Sequence, residues 1–341
     1  MLKKTILTSI VLLFIVSAVG HHFYQKIHAE NVHSAGAVFI KSTFTIEEVA
    51  TALKPFVTDS NSFLWVAKQK RFTHIKPGKY LLKKGSSNNA LVNLLRSGDQ
   101  SPITISFNNQ HSIENLAGRL AQQLEADSVS IEKTLLDSLF LVKNKYNKQT
   151  ALEMYIPNSY EVYWTISPEK LRARMQQEFQ RFWSQSRKEK AAKLDLTISQ
   201  VMALAAIVQK ETVKKSERPI VAGLYLNRLQ NGWPLQADPT IIYALKEKYG
   251  QDYEVKRVLN KDLHIQSPYN TYKHKGLPPS LIAMPDISAI DAVLNPSKHR
   301  YFYMCASTTN IGYHDFAKNL RTHNNNAAKY QRWIHKKGIR R

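Results

Sequence analysis

A single carboxylate ends an otherwise apolar helical run, and its position favours proton-transfer chemistry. VMALAA at residues 201–206 has no polar side chain, and IVQKET at residues 207–212 then brings in Glu211. Helical spacing from Val201 and Val208 places Glu211 on the apolar face. A desolvated carboxyl at the negative end of a helix dipole has a raised pKa and stays protonated near neutral pH, which is what a general acid requires. We therefore predict that Glu211 is a general acid.

The helix that carries this carboxylate has a clear start signal in the sequence. Thr197 followed by Gln200 predicts a capping box, which fixes the helical register through to Glu211. A structural interpretation of the same residue also exists, because a glutamate here could bond the backbone or pair with Arg218 or Arg228. Patterning alone leaves both interpretations open.

The segments after this helix have the composition of ligand-binding loops. Ser216 is predicted to cap a second helix that has Pro219 in its first turn. Asp238 is predicted to cap a third helix, with Pro239 at the first helical position. A loop rich in proline and glycine follows at residues 267–285 and contains the sequence YNTY. Such fixed backbone with many hydrogen-bonding groups is typical of ligand sites.

Length and charge limit the classes of function that remain. A chain of 341 residues with 43% hydrophobic residues can bury a sizeable core, and its formal net charge is +22. Such charge indicates an anionic partner or a solvated basic surface. Because no zinc finger, RNP motif or heptad-flanked basic region is present, nucleic acid is not favoured as a partner. Cys305 is the only cysteine, which excludes an intramolecular disulfide.

The N-terminal segment predicts a membrane anchor. Residues 1–4 include two lysines, and residues 5–25 contain no Asp, Glu, Lys or Arg, which is long enough to span a bilayer core. The rival interpretation is a cleaved signal peptide, since Ala18 and Gly20 have the spacing of a cleavage site. In either case the lysines place the N-terminus in the cytoplasm and the remaining chain outside it.

The rest of the chain predicts an α+β protein made of several parts. Residues 26–40 are expected to form a linker, and residues 41–125 a small module with strand, helix, helix, strand order. Residues 126–190 form a connecting helical segment, where aromatic residues such as Tyr160 and Trp164 favour packing over sugar stacking. Residues 191–341 are expected to be a mainly helical, mixed domain that contains Glu211.

Four sequence blocks in this order resemble the MltG/YceG-like family of endolytic murein transglycosylases. They are IVQKET with SERPIVAGLYLNRL, then LQADPTIIYAL, then YNTY with GLPPSLIAMP, and finally HDFAKNLRTHN, which together cover residues 198 to about 330. KPGKYLLKKGSSNNALVNLLRSG is similar to the LysM-like module of that family, and the apolar N-terminus fits its single-span topology. The segment LEMYIPNSYEVYW departs from the usual family wording.

The resemblance implies a reaction that needs one carboxyl group. The essential family glutamate maps onto Glu211; many relatives also have an acidic residue two positions earlier, where this chain has Gln209. By the helical register, Gln209 and Lys210 are expected to face solvent. A lytic transglycosylase protonates the glycosidic oxygen between N-acetylmuramic acid and N-acetylglucosamine and then deprotonates the muramyl 6-hydroxyl, which leaves a 1,6-anhydromuramyl end. The resemblance implies no metal and no cofactor, glycan strands as substrate, and peptidoglycan synthases as partners at the inner membrane.

The supporting residues come from the same sequence blocks. Candidate substrate-binding residues are polar or aromatic: Asn227, Gln236, Asp238, Thr240, Tyr269, Asn270, Thr271, Tyr272 and His314. His314 and His323 lack metal-ligand spacing and are expected to hydrogen-bond substrate or backbone. A two-carboxylate hydrolase that pairs Glu211 with Asp238 or Glu217 is the alternative enzyme. A non-catalytic wall-binding scaffold is the alternative outside enzymes.

Overall fold

The protein is described by a computed structural model that covers residues 2–337 and divides them into two compact units. The sequence expectation of an α+β protein is confirmed. The predicted boundaries at residues 40 and 125 do not coincide with this division. The first unit runs through residue 40 without a break, and short segments from the middle of the chain return to it. The first unit is Met1–Ile105, Ala121–Asp127 and Ser159–Ser167, and the second is Ser106–Leu120, Ser128–Asn158 and Pro168–Arg341.

The first unit begins with the helix α1, Leu2–His28, whose stretch Thr5–His28 is long and apolar enough to cross a membrane. The predicted span at residues 5–25 lies within this helix. The stretch Thr5–His28 has a mean hydropathy of 2.0, and its apolar side chains are exposed, which is compatible with a single-pass anchor. A signal sequence has the same signature, so both interpretations remain.

A two-stranded antiparallel sheet with helices against it forms the core of the first unit. Its elements are β1 (Gly36–Ile40), α2 (Ile46–Leu53), α3 (Ser60–Gln69), β2 (Gly78–Leu82) and α4 (Asn88–Ser97). Strand β1 pairs with β2 in the register Gly36 to Leu82. Ile40 of β1 and Tyr80 of β2 are fully buried, because alternate side chains of a strand point to the face that the helices cover.

The predicted order of strand, helix, helix and strand is confirmed, whereas the predicted linker is too long. Residues 36–40 of that linker form β1, because Val38 and Ile40 are apolar at alternate positions and become buried. Gly98 ends α4 and has the left-handed φ of 74° that suits glycine. A second small sheet pairs β3 (Ile103–Ser106) with β4 (Ser159–Val162).

The second unit is mainly helical, with one small sheet. Strand β5 (Tyr303–Ala306) pairs antiparallel with β6 (His314–Ala317). Short 3-10 turns lie at Ala151–Met154 and Asp262–His264. The helices are α5 (Ile113–Ala121), α6 (Ser128–Leu135), α7 (Ser138–Lys143), α8 (Pro168–Phe182), α9 (Gln185–Lys193), α10 (Ile198–Glu211), α11 (Arg218–Gln230), α12 (Asp238–Tyr249), α13 (Ile287–Leu294) and α14 (Leu320–Lys336).

Helix α10 is the central helix of the second unit. Its residues 201–208 are all buried, and it contacts α9, α11, α12 and α13. Burying each large apolar side chain contributes about 1.5–3 kcal/mol, so this helix is strongly anchored. The predicted capping box is confirmed, since Thr197 accepts from the Gln200 N–H and the Gln200 side chain accepts from the Thr197 N–H. The end of α10 is therefore held in a fixed place and register.

Two of the predicted helix caps are wrong. Helix α11 begins at Arg218 with Glu217, not Ser216, at the cap position, and α12 begins at Asp238 itself. Neither helix has a side-chain cap. Proline in the first turn supplies the start signal in both, because its fixed φ suits the helix and it lacks an N–H that would go unpaired. The carboxylates of Glu217 and Asp238 are thus available for other partners.

Candidate active site

Glu211 is the last residue of α10 and points its half-buried carboxyl at α11. The hydroxyl of Tyr225, a residue only 1% exposed, donates to Glu211 Oε1 at 2.6 Å. The two arginines considered as structural partners of Glu211 bond elsewhere. Arg218 pairs with Asp286, and Arg228 donates to backbone carbonyls. Glu211 is therefore oriented by a neutral hydroxyl and not by an ion pair.

The surroundings of Glu211 favour its protonated form. Burial raises the pKa of this carboxyl from 4.5 to about 7, and the negative charge of Asp238 acts in the same direction. The Tyr225 hydrogen bond and the charges of His314 and Arg228 lower the pKa and limit the rise. About half of Glu211 is then protonated at pH 7. Such a pKa lets one carboxyl donate a proton and later accept one.

Asp238 lies at the start of α12 and is held by the loop that carries the YNTY sequence. The hydroxyl of Tyr272 donates to Asp238 Oδ1 at 2.5 Å. Asp238 is exposed, and its charge acts on both Tyr272 and Glu211. It therefore lies close enough to Glu211 to raise the pKa of that carboxyl, and it does not cap the helix.

His314 pairs with the buried Glu217, and the charge of His314 also acts on Glu211. Glu217 is 2% exposed; its Oε2 lies 2.9 Å from His314 Nδ1, and its Oε1 accepts from the His314 N–H at 2.6 Å. Burial alone would raise the pKa of Glu217, but the bonds from His314 outweigh it and lower that pKa. Burial alone would lower the pKa of His314, but Glu217 outweighs it and raises that pKa. Because both carboxylate oxygens are engaged, Glu217 serves to position His314.

We expect this pair to leave a signature in the pH dependence of stability. A lowered Glu217 pKa stabilises the fold above the ordinary carboxyl value, and a raised His314 pKa stabilises it below the ordinary histidine value, so the full contribution falls between about pH 4.5 and 6.5. Urea denaturation should show Glu217→Gln less stable than wild type by about 1–2 kcal/mol at pH 5.5, with a smaller difference at pH 8.5. The exposed Glu254→Gln is the control and should show no such pattern. An equal loss at both pH values would contradict a charged pair.

Several predicted substrate-binding residues brace the loops instead. Thr240 and Thr271 are buried and share a hydroxyl–hydroxyl bond of 2.8 Å, while the Thr271 hydroxyl also accepts from the Ala237 N–H. Asn270 is fully buried and donates to two carbonyls of the preceding chain, those of Leu263 and Ile265. These contacts fix the start of α12 against the YNTY loop. The contact of these three residues with substrate stays a prediction, and their burial favours an indirect role through the loops.

Tyr269, Asn227 and Gln236 also have definite structural partners. The Tyr269 hydroxyl bonds Ser280 at 2.6 Å, and Asn227 donates to two carbonyls in the chain before β5. Gln236 is exposed with a left-handed φ of 50°, and its N–H donates to the Thr271 carbonyl. A non-glycine residue in this conformation is uncommon and marks a constrained turn. Of these three, Gln236 has the side chain most open to solvent.

The sequence did not reveal the bonds that Gln209 makes. Its side chain, expected to face solvent, donates to the Met284 carbonyl at 3.2 Å and accepts from the Asp286 N–H at 2.6 Å. Lys210 is exposed, as expected. Gln209 thus ties the end of α10 to the segment before α13. Both partners of Gln209 lie in the segment before α13, so the helical register of α10 alone could not reveal them.

Tyr225 was not predicted as a site residue, and Arg228 was named only as a possible structural partner of Glu211. Both lie on α11 and are buried, and both act on the pKa of Glu211. The only sequence signal was a tyrosine hydroxyl and a guanidinium three residues apart in a mostly apolar helix. His323 stacks on Tyr303 with ring centroids 5.2 Å apart, and its Nδ1 is buried with no hydrogen-bond partner among residues 2–337. Its expected hydrogen bond is therefore absent at that atom.

Comparisons with known proteins find one family model and several relatives that match most of this chain. The model of the YceG-like family matches residues 38–329. A protein named endolytic murein transglycosylase from Streptococcus pneumoniae serotype 2 is 27% identical over 368 residues, which cover 96% of this chain and 65% of that protein. Its Bacillus subtilis namesake is 29% identical over 310 residues, covering 85% of this chain and 83% of that protein. This chain therefore spans about two thirds of the length of the pneumococcal relative.

A solved structure shows the same fold. The crystal structure of a yceG-like protein from Listeria monocytogenes, at 2.6 Å, superposes with a TM-score of 0.57 and 25% sequence identity. The superposition covers 85% of this chain and 98% of that one. Because the family match extends over residues 38–329, well over half of the sequence, this chain belongs to the YceG-like family.

Proposed function

We propose that this chain is an endolytic lytic transglycosylase of peptidoglycan. The observation that carries the proposal is Glu211, a half-buried carboxyl whose pKa of about 7 lets it act as acid and base in turn. The names of the relatives from Streptococcus pneumoniae and Bacillus subtilis support the same substrate and reaction. Glycan strands are then the substrate, and the reaction needs no cofactor.

In this mechanism Glu211 protonates the glycosidic oxygen between N-acetylmuramic acid and N-acetylglucosamine. As that bond breaks, positive charge develops at the muramyl C1, and the Asp238 carboxylate is placed to stabilise it. Glu211 is now a carboxylate, which the Tyr225 hydroxyl and the charges of His314 and Arg228 stabilise. It removes the proton of the muramyl 6-hydroxyl while the 6-oxygen attacks C1. The products are a 1,6-anhydromuramyl end and a free N-acetylglucosamine 4-hydroxyl, and Glu211 is protonated again.

A two-carboxylate hydrolase remains the alternative, with Asp238 as the second group because Glu217 is engaged by His314. Mass spectrometry of products from purified glycan strands separates the two reactions. A lytic transglycosylase leaves anhydromuramyl ends, whereas a hydrolase leaves reducing ends that are heavier by one water. If wild type binds the strands and cuts none, the wall-binding scaffold is supported and the proposal fails.

Two conservative variants should move the pH profile in opposite directions. Tyr225→Phe removes a bond that lowers the pKa of Glu211, so the alkaline limb of kcat/KM should shift to higher pH. Asp238→Asn removes a charge that raises this pKa, so the limb should shift to lower pH. The measurement is kcat/KM on glycan strands from pH 5 to pH 9. Shifts of the same sign in both variants would contradict Glu211 as the titrating acid.

We propose further that α1 anchors the protein in the cytoplasmic membrane with its N-terminus inside and the Glu211 domain outside. The apolar stretch Thr5–His28 and the net charge of +22 support this arrangement beside anionic lipids and wall polymers. Residues 41–125 would supply a LysM-like wall-binding module, and synthases of the elongation or division machinery would be its neighbours. Retention of the full chain in membranes after an alkaline wash tests the anchor; release would indicate a cleaved signal.

A further inference from the structure

A basic cavity lies beside the catalytic glutamate in the second unit. It has a volume of about 260 Å³, and we define it by His111, Lys210, Ile242, Tyr243, Lys246 and Ile282. Three of these side chains are basic, and the other three supply an aromatic and two aliphatic surfaces. No acidic side chain lines it.

The three basic groups of this cavity, His111, Lys210 and Lys246, make no salt bridge within the part of the chain that the structure describes. Burial lowers the pKa of His111, and the charges of Lys210 and Lys246 lower it further. Lys210 is largely exposed to solvent, yet partial desolvation where it lines the cavity and the charge of Lys246 lower the pKa of its ammonium group. The groups therefore repel one another, and a bound anion would relieve this repulsion.

The position of this cavity relates it to the substrate of Glu211. Lys210 precedes Glu211 in α10, and side chains of successive helical residues diverge by roughly 100° around the axis. Pro239, which also lines the cavity, follows Asp238 in α12. Chain neighbours of Glu211 and Asp238 thus line the cavity, which relates it to the carboxyl that would protonate the glycosidic oxygen. In peptidoglycan, the muramyl residue that is cut carries a lactyl-linked peptide stem with free carboxylates.

We propose that the basic cavity binds a carboxylate of the peptide stem on the muramyl residue whose glycosidic bond is cut. Each stem residue spans at most about 3.6 Å, so a carboxylate one or two residues from the sugar reaches a cavity adjacent to Glu211. Lys210 and Lys246 supply the charge, and Tyr243 and Ile282 pack against the apolar parts of the stem. This inference rests on the proposed function and makes stem charge a determinant of specificity.

The test compares synthetic glycan fragments with free stem carboxylates and the same fragments with those carboxylates amidated. Wild type should have a kcat/KM about 10-fold higher on the free-carboxylate fragments. Lys246→Gln should reduce this ratio to about 1. Lys248→Gln, on an exposed position of the same helix, is the matched control and should keep the wild-type ratio. Equilibrium binding of the two fragments to a Glu211→Gln background should show the same preference without turnover.

The outcomes separate this inference from the proposed function. If wild type cuts both fragments equally well to anhydromuramyl ends, the cavity does not read the stem and the transglycosylase proposal stands. If neither fragment yields anhydromuramyl ends, the transglycosylase proposal itself fails. Thermal denaturation shows whether Lys246→Gln is folded. If the folded variant keeps the wild-type ratio of kcat/KM between the two fragments, Lys246 is not the carboxylate-binding group and the inference is overturned.

Discussion

Glu211→Gln should reduce kcat on glycan strands by about 10²- to 10⁴-fold, the usual contribution of a positioned acid and base. An amide cannot donate the proton that the leaving oxygen needs, nor accept the proton of the 6-hydroxyl. Because Gln keeps the size of the side chain and an oxygen for the Tyr225 hydroxyl, substrate binding should persist. Rates of anhydromuramyl formation measure the loss, and the exposed Glu247→Gln is the control. Activity within a few-fold of wild type would remove Glu211 from the mechanism.

The same variant should be more stable than wild type at alkaline pH. The pKa of Glu211 is raised from 4.5 to about 7, so ionising this carboxyl destabilises the folded state. This destabilisation is absent below pH 4.5, grows as the pH rises, and is complete above pH 7. Replacing it by Gln should therefore raise the free energy of unfolding by about 1–3 kcal/mol at pH 8.5 and leave it near wild type at pH 4.5. A loss of activity caused by misfolding would show the opposite sign, which separates a catalytic role from a structural one.

Asp286→Ala should destabilise the second unit by about 3–5 kcal/mol, the cost of breaking a buried ion pair from one side. Asp286 Oδ1 lies 2.7 Å from the guanidinium of Arg218, which is 4% exposed and would be left buried and unpaired. Asp286 also caps α13 by accepting from the Ala289 N–H. Its backbone N–H donates to Gln209 at the end of α10, a bond that alanine retains, so the predicted loss comes from the side chain alone. Urea denaturation at pH 7.5 measures the effect.

The control for this prediction lies on the same helix. Asp291 pairs with Arg187 at 3.0 Å, but its side chain is 43% exposed. Asp291→Ala should therefore cost about 1 kcal/mol or less, as solvent-exposed pairs do. If Asp286→Ala and Asp291→Ala lower the free energy of unfolding equally, the buried ion pair stabilises the fold no more than the exposed one.

The sequence could place Glu211 at the end of a buried helix because the signals for that helix were local. Thr197 and Gln200 fix the helix start within one turn, and the apolar run leads directly to Glu211. The partners of that carboxyl could not be deduced in the same way. The Tyr225 bond depends on how α10 packs on α11, and the Gln209 bonds depend on a segment more than seventy residues away. Such contacts arise from tertiary packing, which a single sequence does not display.

Asp238 shows how a local rule can mislead. An aspartate before a proline is typical of a helix cap, yet its carboxylate bonds the Tyr272 hydroxyl across the site. The loop residues show the reverse: hydrogen-bonding side chains suggested ligand contacts, but Thr240, Asn270 and Thr271 are buried and bond the protein. A sequence reports which groups can form hydrogen bonds, whereas burial decides which of them remain open to substrate.

The protonation state of Glu211 is the central claim, and carboxyl NMR tests it directly. Protein labelled with ¹³C at glutamate side-chain carboxyls would be titrated from pH 3 to pH 9 alongside Glu211→Gln, so that the resonance missing from the variant is assigned to Glu211. We expect that resonance to titrate with a midpoint of about 7. A midpoint near the ordinary glutamate value of 4.5 would leave the carboxyl ionised at neutral pH and contradict its role as the general acid.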